Sequence, residues 1–480
     1  MSEPGSDDRV HPTREDPVVG ALSESVGGRF GRYAVPHRWW TPARVVLAVT
    51  AVVFVLGMVQ KAPCYQDTWR NGEARYSKMC YSDMPYLYVG RGFVERIWPY
   101  TDDQEIRQRF EAMEYPVGIS YFAWGASVVT HWVSGTGSVD ERSNTPIDVV
   151  SNEPQVLKET NNYVAVSAVM LGIATLLAAW FLLGVHRRRP WDAMLFAAAP
   201  VLVFNALINW DLLAVTLVAG ALWAWSRDKP VLTGVMIGLG TATKLYPLFL
   251  LGGVLVMCIR RREWVPMVSA TAAAVLAWLA ANAPAFLTGR EDWQVFWTFN
   301  SERGADLGSV WLVLAQNGHD FGHETINKVS WIFFIAWCIG VLLLGLAAPK
   351  TPRLAQLGFL IVAGFLLVNK VYSPQYVLWL LPLAVLAVPR WRDQLIWQAG
   401  ELFYFAAVWW YLGGFLEAGG DGESPMYWVA IVLRMLTELY LVVIVVRDIL
   451  LPQHDLVERE DPVGRRGSQP ISTRSNDVAV

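Results

Sequence analysis

Long apolar runs alternate with short polar turns along most of the chain. The first run spans Arg44–Gln60, and others follow at 163–185, 191–207, 211–226, 231–243, 247–259, 264–286, 331–348, 354–369, 376–389, 394–412 and 427–447. Apolar runs of about 18 residues or more predict membrane-crossing helices. Basic clusters mark alternate turns: Arg187–Arg189, Arg227–Lys229, Arg260–Arg262, Lys350–Arg353, Arg390–Arg392 and Arg447. Lysine and arginine collect on the cytoplasmic side of membrane proteins. The pattern predicts an all-α polytopic membrane protein with about twelve transmembrane helices, both termini inside, and a long first extracytoplasmic loop from Lys61 to Pro116.

Two stretches strain this count. Segment 117–134 is apolar enough to cross, but a crossing there would move Arg187–Arg189 outside. The pattern therefore predicts a re-entrant or interfacial segment, followed by an outer acidic stretch at 135–160. Between the basic turns that bracket 231–259, a hairpin broken at Lys244–Pro247 keeps both turns inside and puts Lys244 near the outer face. Non-helical backbone at membrane depth is tolerated where it is buried in protein or lines a cavity. Residues 1–40 and 451–480 are polar and charged, which predicts disordered cytoplasmic tails around one membrane domain, 41–450. The first forty residues lack the basic-then-apolar pattern of a signal peptide.

Composition narrows the function. Charged residues make up 17% of the chain, against about 25% in a soluble domain. A net charge of -3 leaves no electrostatic footprint for nucleic acid. The 24 tryptophans and 17 tyrosines suit interfacial belts and also sugar-stacking platforms. Cys64 and Cys80 share the first loop, and an extracytoplasmic loop permits a disulfide between them. Cys258 and Cys338 lie in apolar runs and read as small core residues. His319 and His323 have the spacing of helical ligands, but an intervening glycine and the lack of a third ligand argue against a metal. Walker A, HExxH and G-x-S-x-G patterns are absent, which argues against ATP-driven transport and secreted hydrolysis. No cofactor is implied.

The unusual polar residues fall at the predicted outer face. The first loop holds Asp83 in C-Y-S-D-M-P-Y-L-Y-V-G-R-G-F, with Arg91, Glu114 and Tyr115 beyond it. Other outer turns hold Asp211 in N-W-D, Lys244 and Tyr246 in K-L-Y-P, Arg303 in F-N-S-E-R-G-A-D-L-G, and Lys370, Tyr372 and Gln375 in N-K-V-Y-S-P-Q-Y. Ionisable residues near membrane depth are costly and are functional candidates by default. Each also has a plain reading. Asp83 and Asp211 stand where helix N-caps would, Lys244 and Lys370 can snorkel, and Arg303 can pair with Glu302 or Asp306. Soluble sugar nucleotides are not available outside the cell. A transfer reaction there needs a donor that arrives activated, most simply a lipid phosphate. Such a donor requires cations for the phosphate, a carboxylate for the incoming hydroxyl and an apolar groove for the tail.

The ordered set S-D-M-P-Y-L-Y-V-G-R-G, W-P-Y, E-Y-P, N-W-D-L-L-A, G-L-G-T-A-T-K-L-Y-P-L and N-K-V-Y-S-P-Q-Y-x3-L-L-P-L spans roughly residues 80–385. It resembles the polyprenyl-phosphate-mannose-dependent mannosyltransferases of glycosyltransferase family 87. The resemblance implies a GT-C-like fold and a first-loop carboxylate, here Asp83, as catalytic base. It also implies a lysine, here Lys244, facing the donor phosphate. The Cys64/Cys80 pair and the insertion before Asp83 depart from the family pattern. The expected function is inverting transfer of a sugar from a polyprenyl-phosphate donor to a cell-envelope glycolipid or glycan. It would occur at the outer face of the plasma membrane, among membrane lipids. Lys370 and Arg303 join Lys244 as phosphate candidates, and Tyr88, Trp98, Tyr115 and Tyr372 are candidates to stack on sugar. The rival is a flippase of lipid-linked sugars, which requires polar residues spread through the bilayer rather than gathered at one face.

Overall fold

A computed structural model describes residues 16–27, 39–416 and 424–460. Its main helices are α1 (Pro42–Gln60), α2 (Met84–Gly90), α3 (Val117–Ser134), α4 (Pro154–Leu183), α5 (Leu212–Trp225), α6 (Pro230–Thr243) and α7 (Leu250–Arg261). They continue with α8 (Trp264–Thr288), α9 (Arg290–Glu302), α10 (His323–Ala347), α11 (Leu354–Val368), α12 (Val377–Ala387), α13 (Trp391–Leu412) and α14 (Pro425–Leu450). The described residues contain no strand, so the chain is an all-α polytopic membrane protein.

The contacts sort the helix ends into two groups. At one end Arg227 reaches the Gly184 carbonyl, Arg260 the Gly345 carbonyl, Arg353 the Asp455 carboxylate and Arg390 the Asp448 carboxylate. At the other, Asp83 N–H donates to the Ile208 carbonyl, Lys244 pairs with Asp211, and Asp306 N–H donates to the Lys370 carbonyl. Among the described residues twelve segments alternate between this basic end and the opposite end. One of them is broken into Met194–Ala197 and Pro200–Asn205. The α6–α7 pair turns at Lys244, as the sequence pattern predicts. Helices α6 and α8 run parallel, with Gly234 over the Ala270 carbonyl and Gly238 over the Ala274 carbonyl. A Cβ at either glycine would collide with that backbone.

Helix length explains where a cavity forms. Among the described residues five helices, α1, α4, α8, α10 and α14, are long and apolar enough to cross a membrane. On α8 and α10, Leu276, Leu279, Ile332 and Ile335 face outward. Helices α5 and α6 have 14 residues each and α11 has 15. At 1.5 Å per residue they reach about 21–23 Å, short of a hydrocarbon core about 30 Å thick. The shortfall is made up by irregular chain at 206–211, 244–249 and 369–376, away from the basic end. These segments are enclosed by protein, where broken backbone can be satisfied.

The contacts of helix α3 fall at the ends of its neighbours remote from the basic face. Gly118 packs on Ala242 and Thr243, Tyr121 bonds the Ala281 carbonyl, Tyr163 bonds the Ala123 carbonyl, and Asn162 bonds Ser134. It therefore lies across the bundle instead of running down it, consistent with an interfacial segment. Two crossing helices begin earlier than their apolar runs: α4 at Pro154 rather than 163, and α10 at His323 rather than 331. Their first turns are polar because they project past the apolar layer; Glu159 of α4 is bound there by Arg142.

Residues 451–460 depart from the expected tail. They form Pro452–His454 and Leu456–Glu460, because Asp455 is held by Arg353 and Glu458 pairs with Lys350 at 2.6 Å. Within the expected N-terminal tail, Pro17–Gly27 is helical, and Asp16 accepts from Val18 N–H and Trp391 N–H. The rest of both tails lies outside the described residues. In the first loop, Cys64 and Cys80 form a disulfide with Cα atoms 5.7 Å apart.

Candidate active site

A cavity of 750 Å³ opens at the end away from the basic turns. Asp83, Glu114, Tyr115, Lys244, Tyr246, Arg303, Lys370 and Gln375 all line it. Residues from five separate stretches of sequence thus meet in one space.

Asp83 enters from the turn before α2. It stands at the N-cap position, but its carboxylate makes no capping hydrogen bond. It accepts instead from the Tyr115 hydroxyl at 2.8 Å, and the Tyr81 hydroxyl is a second donor. Among the described residues it has no cationic partner within ion-pair distance. Burial pushes the Asp83 carboxyl above the usual carboxylate range, while the two tyrosine hydroxyls pull it down. Asp83 N–H and Ser82 Oγ both bond the Ile208 carbonyl, tying this turn to 206–211. Behind it Lys61 donates to the Tyr81 carbonyl at 2.8 Å. Burial lowers that ammonium to about 7, with Asp83 acting in the opposite sense.

The cations differ in how far their charge is already matched. Lys244 Nζ lies 3.0 Å from Asp211 and 4.6 Å from the Tyr115 ring centroid. Asp211 also makes no cap bond; it accepts from Trp379 Nε1 at 2.8 Å. The N-cap reading therefore fails for both aspartates. Arg303 pairs with Asp306 at 2.6 Å, as the plain reading expects, yet still faces the cavity. Lys370 has no carboxylate within reach among the described residues. Its Nζ donates to Asn327 Oδ1 at 2.7 Å and to the Ser301 carbonyl at 3.3 Å. Two buried polar atoms on the wall, Tyr246 Oη and Gln375 Oε1, have no partner among the described residues. Buried polar atoms are normally paired, so each is a position for a ligand group.

The loops that carry Arg303 and Lys370 are locked together. Asp306 N–H donates to the Lys370 carbonyl and Tyr372 N–H to the Leu307 carbonyl. Gly308 N–H donates to Tyr427 Oη, and the Tyr404 hydroxyl to the Tyr372 carbonyl. Gly308 has φ +71°, in the left-handed region, and a Cβ there would strike Tyr404. The remaining wall is aromatic and apolar around Phe296, Trp297, Trp331, Phe334 and Phe365.

Several expected residues lie elsewhere. Asp211 is buried behind Lys244 and orients it. Arg91 is a brace outside the cavity, bound to Glu111 and Glu114 at 2.7 and 2.9 Å. Tyr372 is fully buried: its hydroxyl bonds Glu401, and the Arg434 guanidinium sits 3.7 Å from its ring centroid. Tyr88 is buried against His131 and Glu159, and Trp98 stacks on Tyr121. None of these three faces the cavity, because each ring is consumed in packing. The apolar runs also contain more buried charge than expected, since Arg434 and Glu438 pair within α14 near Glu401 of α13. These charges do not line the cavity; they brace Tyr372.

Sequence reasoning missed Lys61, Tyr76, Tyr81, Tyr376, Trp379 and Trp409. Tyr81 and Tyr376 stood inside the quoted motifs. Trp379 and Trp409 sit in apolar runs, where nothing in the pattern separates a cavity ring from a lipid-facing one.

No curated protein matches this chain. The model of glycosyltransferase family 87 matches residues 155–369. That stretch includes Asp211, Lys244 and Arg303 and stops one residue before Lys370; Asp83 precedes it. Over that stretch, within a helical membrane architecture, the chain is similar to glycosyltransferase family 87.

Proposed function

We propose that the protein transfers a sugar, mannose in the first instance, from a polyprenyl-phosphate donor to an envelope glycolipid or glycan. The observation that carries the reading is one cavity lined by an uncompensated carboxylate, Asp83, and an uncompensated ammonium, Lys370. Asp83 takes the proton of the acceptor hydroxyl. The hydroxyl oxygen attacks the anomeric carbon, and the bond from that carbon to the donor phosphate breaks on the opposite side, inverting the centre. Lys370, Arg303 and Lys244 take up charge on the departing lipid phosphate, which is worth most where water is scarce. Tyr115 and Tyr81 hold the carboxylate, and its raised pKa makes it a stronger base. The aromatic wall at Phe334 and Phe365 accommodates the start of the lipid tail. By the positive-inside rule the basic end is cytoplasmic, which puts this cavity on the extracytoplasmic side of the plasma membrane. The disulfide in the first loop agrees with that side.

The test is transfer by purified protein in nanodiscs, with labelled polyprenyl-phosphate mannose and envelope lipid extract. A labelled product from the wild type, lost in Asp83→Asn, is expected. Transfer by Asp83→Asn at the wild-type rate would remove Asp83 as base.

A further inference from the structure

Contacts give an order along the cavity. Phe334 and Phe365 pack together at one extreme, with ring centroids 5.6 Å apart. Lys370 follows with Asn327, then Tyr376 stacked on Trp379 at 3.9 Å, then Lys244 over Tyr115, then Asp83. Beyond Asp83 stand the rings of Tyr76, Tyr81 and Trp409, of which only the Tyr81 hydroxyl has a role so far, as a donor to Asp83. Tyr81 stacks on Tyr76 with centroids 6.3 Å apart and planes 13° apart, and it lies 5.1 Å from Trp409. Tyr76 lies 6.4 Å from Trp409 at 21°. All three line the cavity, and Tyr76 and Tyr81 are only half-buried.

The shelf is assembled by the first loop and the end of α13. Tyr76 belongs to the short helix Gly72–Ser77, inside the loop closed by the Cys64–Cys80 disulfide. That loop docks on the end of α13, where Tyr76 packs against Gly413. Gln60 bonds the Met79 carbonyl and Lys61 the Tyr81 carbonyl, which fixes the returning strand of the loop. The neighbouring wall residues on α13, Val408 and Leu412, are apolar, so among the described residues no charged side chain lines this end beyond Asp83.

We propose that Tyr76, Tyr81 and Trp409 form the acceptor subsite, and that it takes a neutral saccharide whose C–H face lies on the rings. The proposal rests on the transferase reading. In an in-line displacement the nucleophile approaches from the side opposite the leaving group. The leaving phosphate belongs with Lys370 and Arg303, so the acceptor belongs on the far side of Asp83. A phosphate-bearing head group would need cations there. Arg75 sits 4.9 Å from the Tyr76 ring centroid but does not line the cavity, and flat rings with no cation on the cavity wall suit the apolar face of a sugar. The acceptor O–H bond breaks with its proton going to Asp83, the O–C1 bond forms, and the C1–O bond leaves with its electron pair on the lipid phosphate.

The experiment uses the full chain in nanodiscs, with methyl glycosides of neutral disaccharides, phosphatidylinositol as the charged rival, and labelled polyprenyl-phosphate mannose. Transfer to a disaccharide is expected, with Tyr76→Ala raising the acceptor KM about five- to tenfold while the donor KM moves less than twofold. Tyr76→Phe, which keeps the ring, should restore the acceptor KM. Reduction of the disulfide should imitate Tyr76→Ala. Saturation-transfer NMR of disaccharide binding without donor is the second measurement. It reads the subsite even if no donor is turned over, so loss of transfer alone counts against the transferase reading and not the subsite. Absent disaccharide binding, preference for phosphatidylinositol, or a Tyr76→Ala effect confined to the donor KM would each overturn the proposal.

Discussion

The two ends of the bundle differ in whether every buried charge is matched: the cavity end has matched pairs such as Lys244–Asp211, but also leaves Asp83 and Lys370 without an ionic partner among the described residues. At the basic end each buried carboxylate is matched. Asp448 is held by Arg390 at 2.6 Å and Arg447 at 2.8 Å, Asp393 by Arg392 at 3.0 Å, and Asp455 by Arg353. At the cavity end Asp83 is held by tyrosine hydroxyls, and Lys370 by an amide and a carbonyl. Matched ions close the surface and fix helix ends. An unmatched ion in a low-dielectric cavity is costly and responds strongly to a ligand of opposite charge or to a proton. The difference separates charge that builds the protein from charge available for chemistry.

The sharpest way to break this contrast is to neutralise one carboxylate at each end. Asp83→Asn should cut turnover about 10²–10⁴-fold, the usual range for general-base help, with little change in thermal midpoint. Asp448→Ala should leave turnover per folded molecule near normal and cost about 3 kcal/mol, because it removes the buried carboxylate that Arg390 and Arg447 share. Thermal unfolding in detergent and transfer assays on both variants decide the matter; the reverse assignment would end the comparison.

Lys370→Gln is expected to raise the donor KM about tenfold or more, in line with about 1.5–3 kcal/mol for a hydrogen bond to a charged group. Lys244→Gln should do more harm to stability, since it leaves Asp211 buried and unpaired. A donor titration with each variant sharpens the distinction between free and matched cations.

A smaller effect concerns pH. Asp83 must be ionised to act, and its pKa is raised. The acid limb of kcat/KM should therefore lie above the ordinary carboxylate range, with activity lost as pH falls through it. Tyr115→Phe removes a hydrogen bond that favours the charged form, so that limb should move to still higher pH. A limb unmoved by Tyr115→Phe would show that another group titrates.

The smallest expected change is at the helix contact. Gly238→Ala puts a methyl against the Ala274 carbonyl and should cost about 1–3 kcal/mol, with KM values unaltered. Its readout is the thermal midpoint alone.

The sequence by itself determined the helical class, the alternation of crossings, the disulfide, and most charged members of the cavity. Those features follow from hydropathy, from the placement of arginine, and from the scarcity of ionisable groups near the membrane, all of which are local properties of the chain. It also put α3 outside the crossing count, because the basic turns leave no parity for it. Only the tertiary structure decided which members are free. Asp83 and Asp211 stand at equivalent helix starts, and nothing local distinguishes them; Lys244 arrives from 33 residues beyond Asp211 to pair with one and not the other. Tyr372 and Tyr376 share one motif, yet Tyr372 turns inward to Glu401 and Tyr376 faces the cavity. Pairing and facing depend on which distant segments meet, and local pattern carries no information about that.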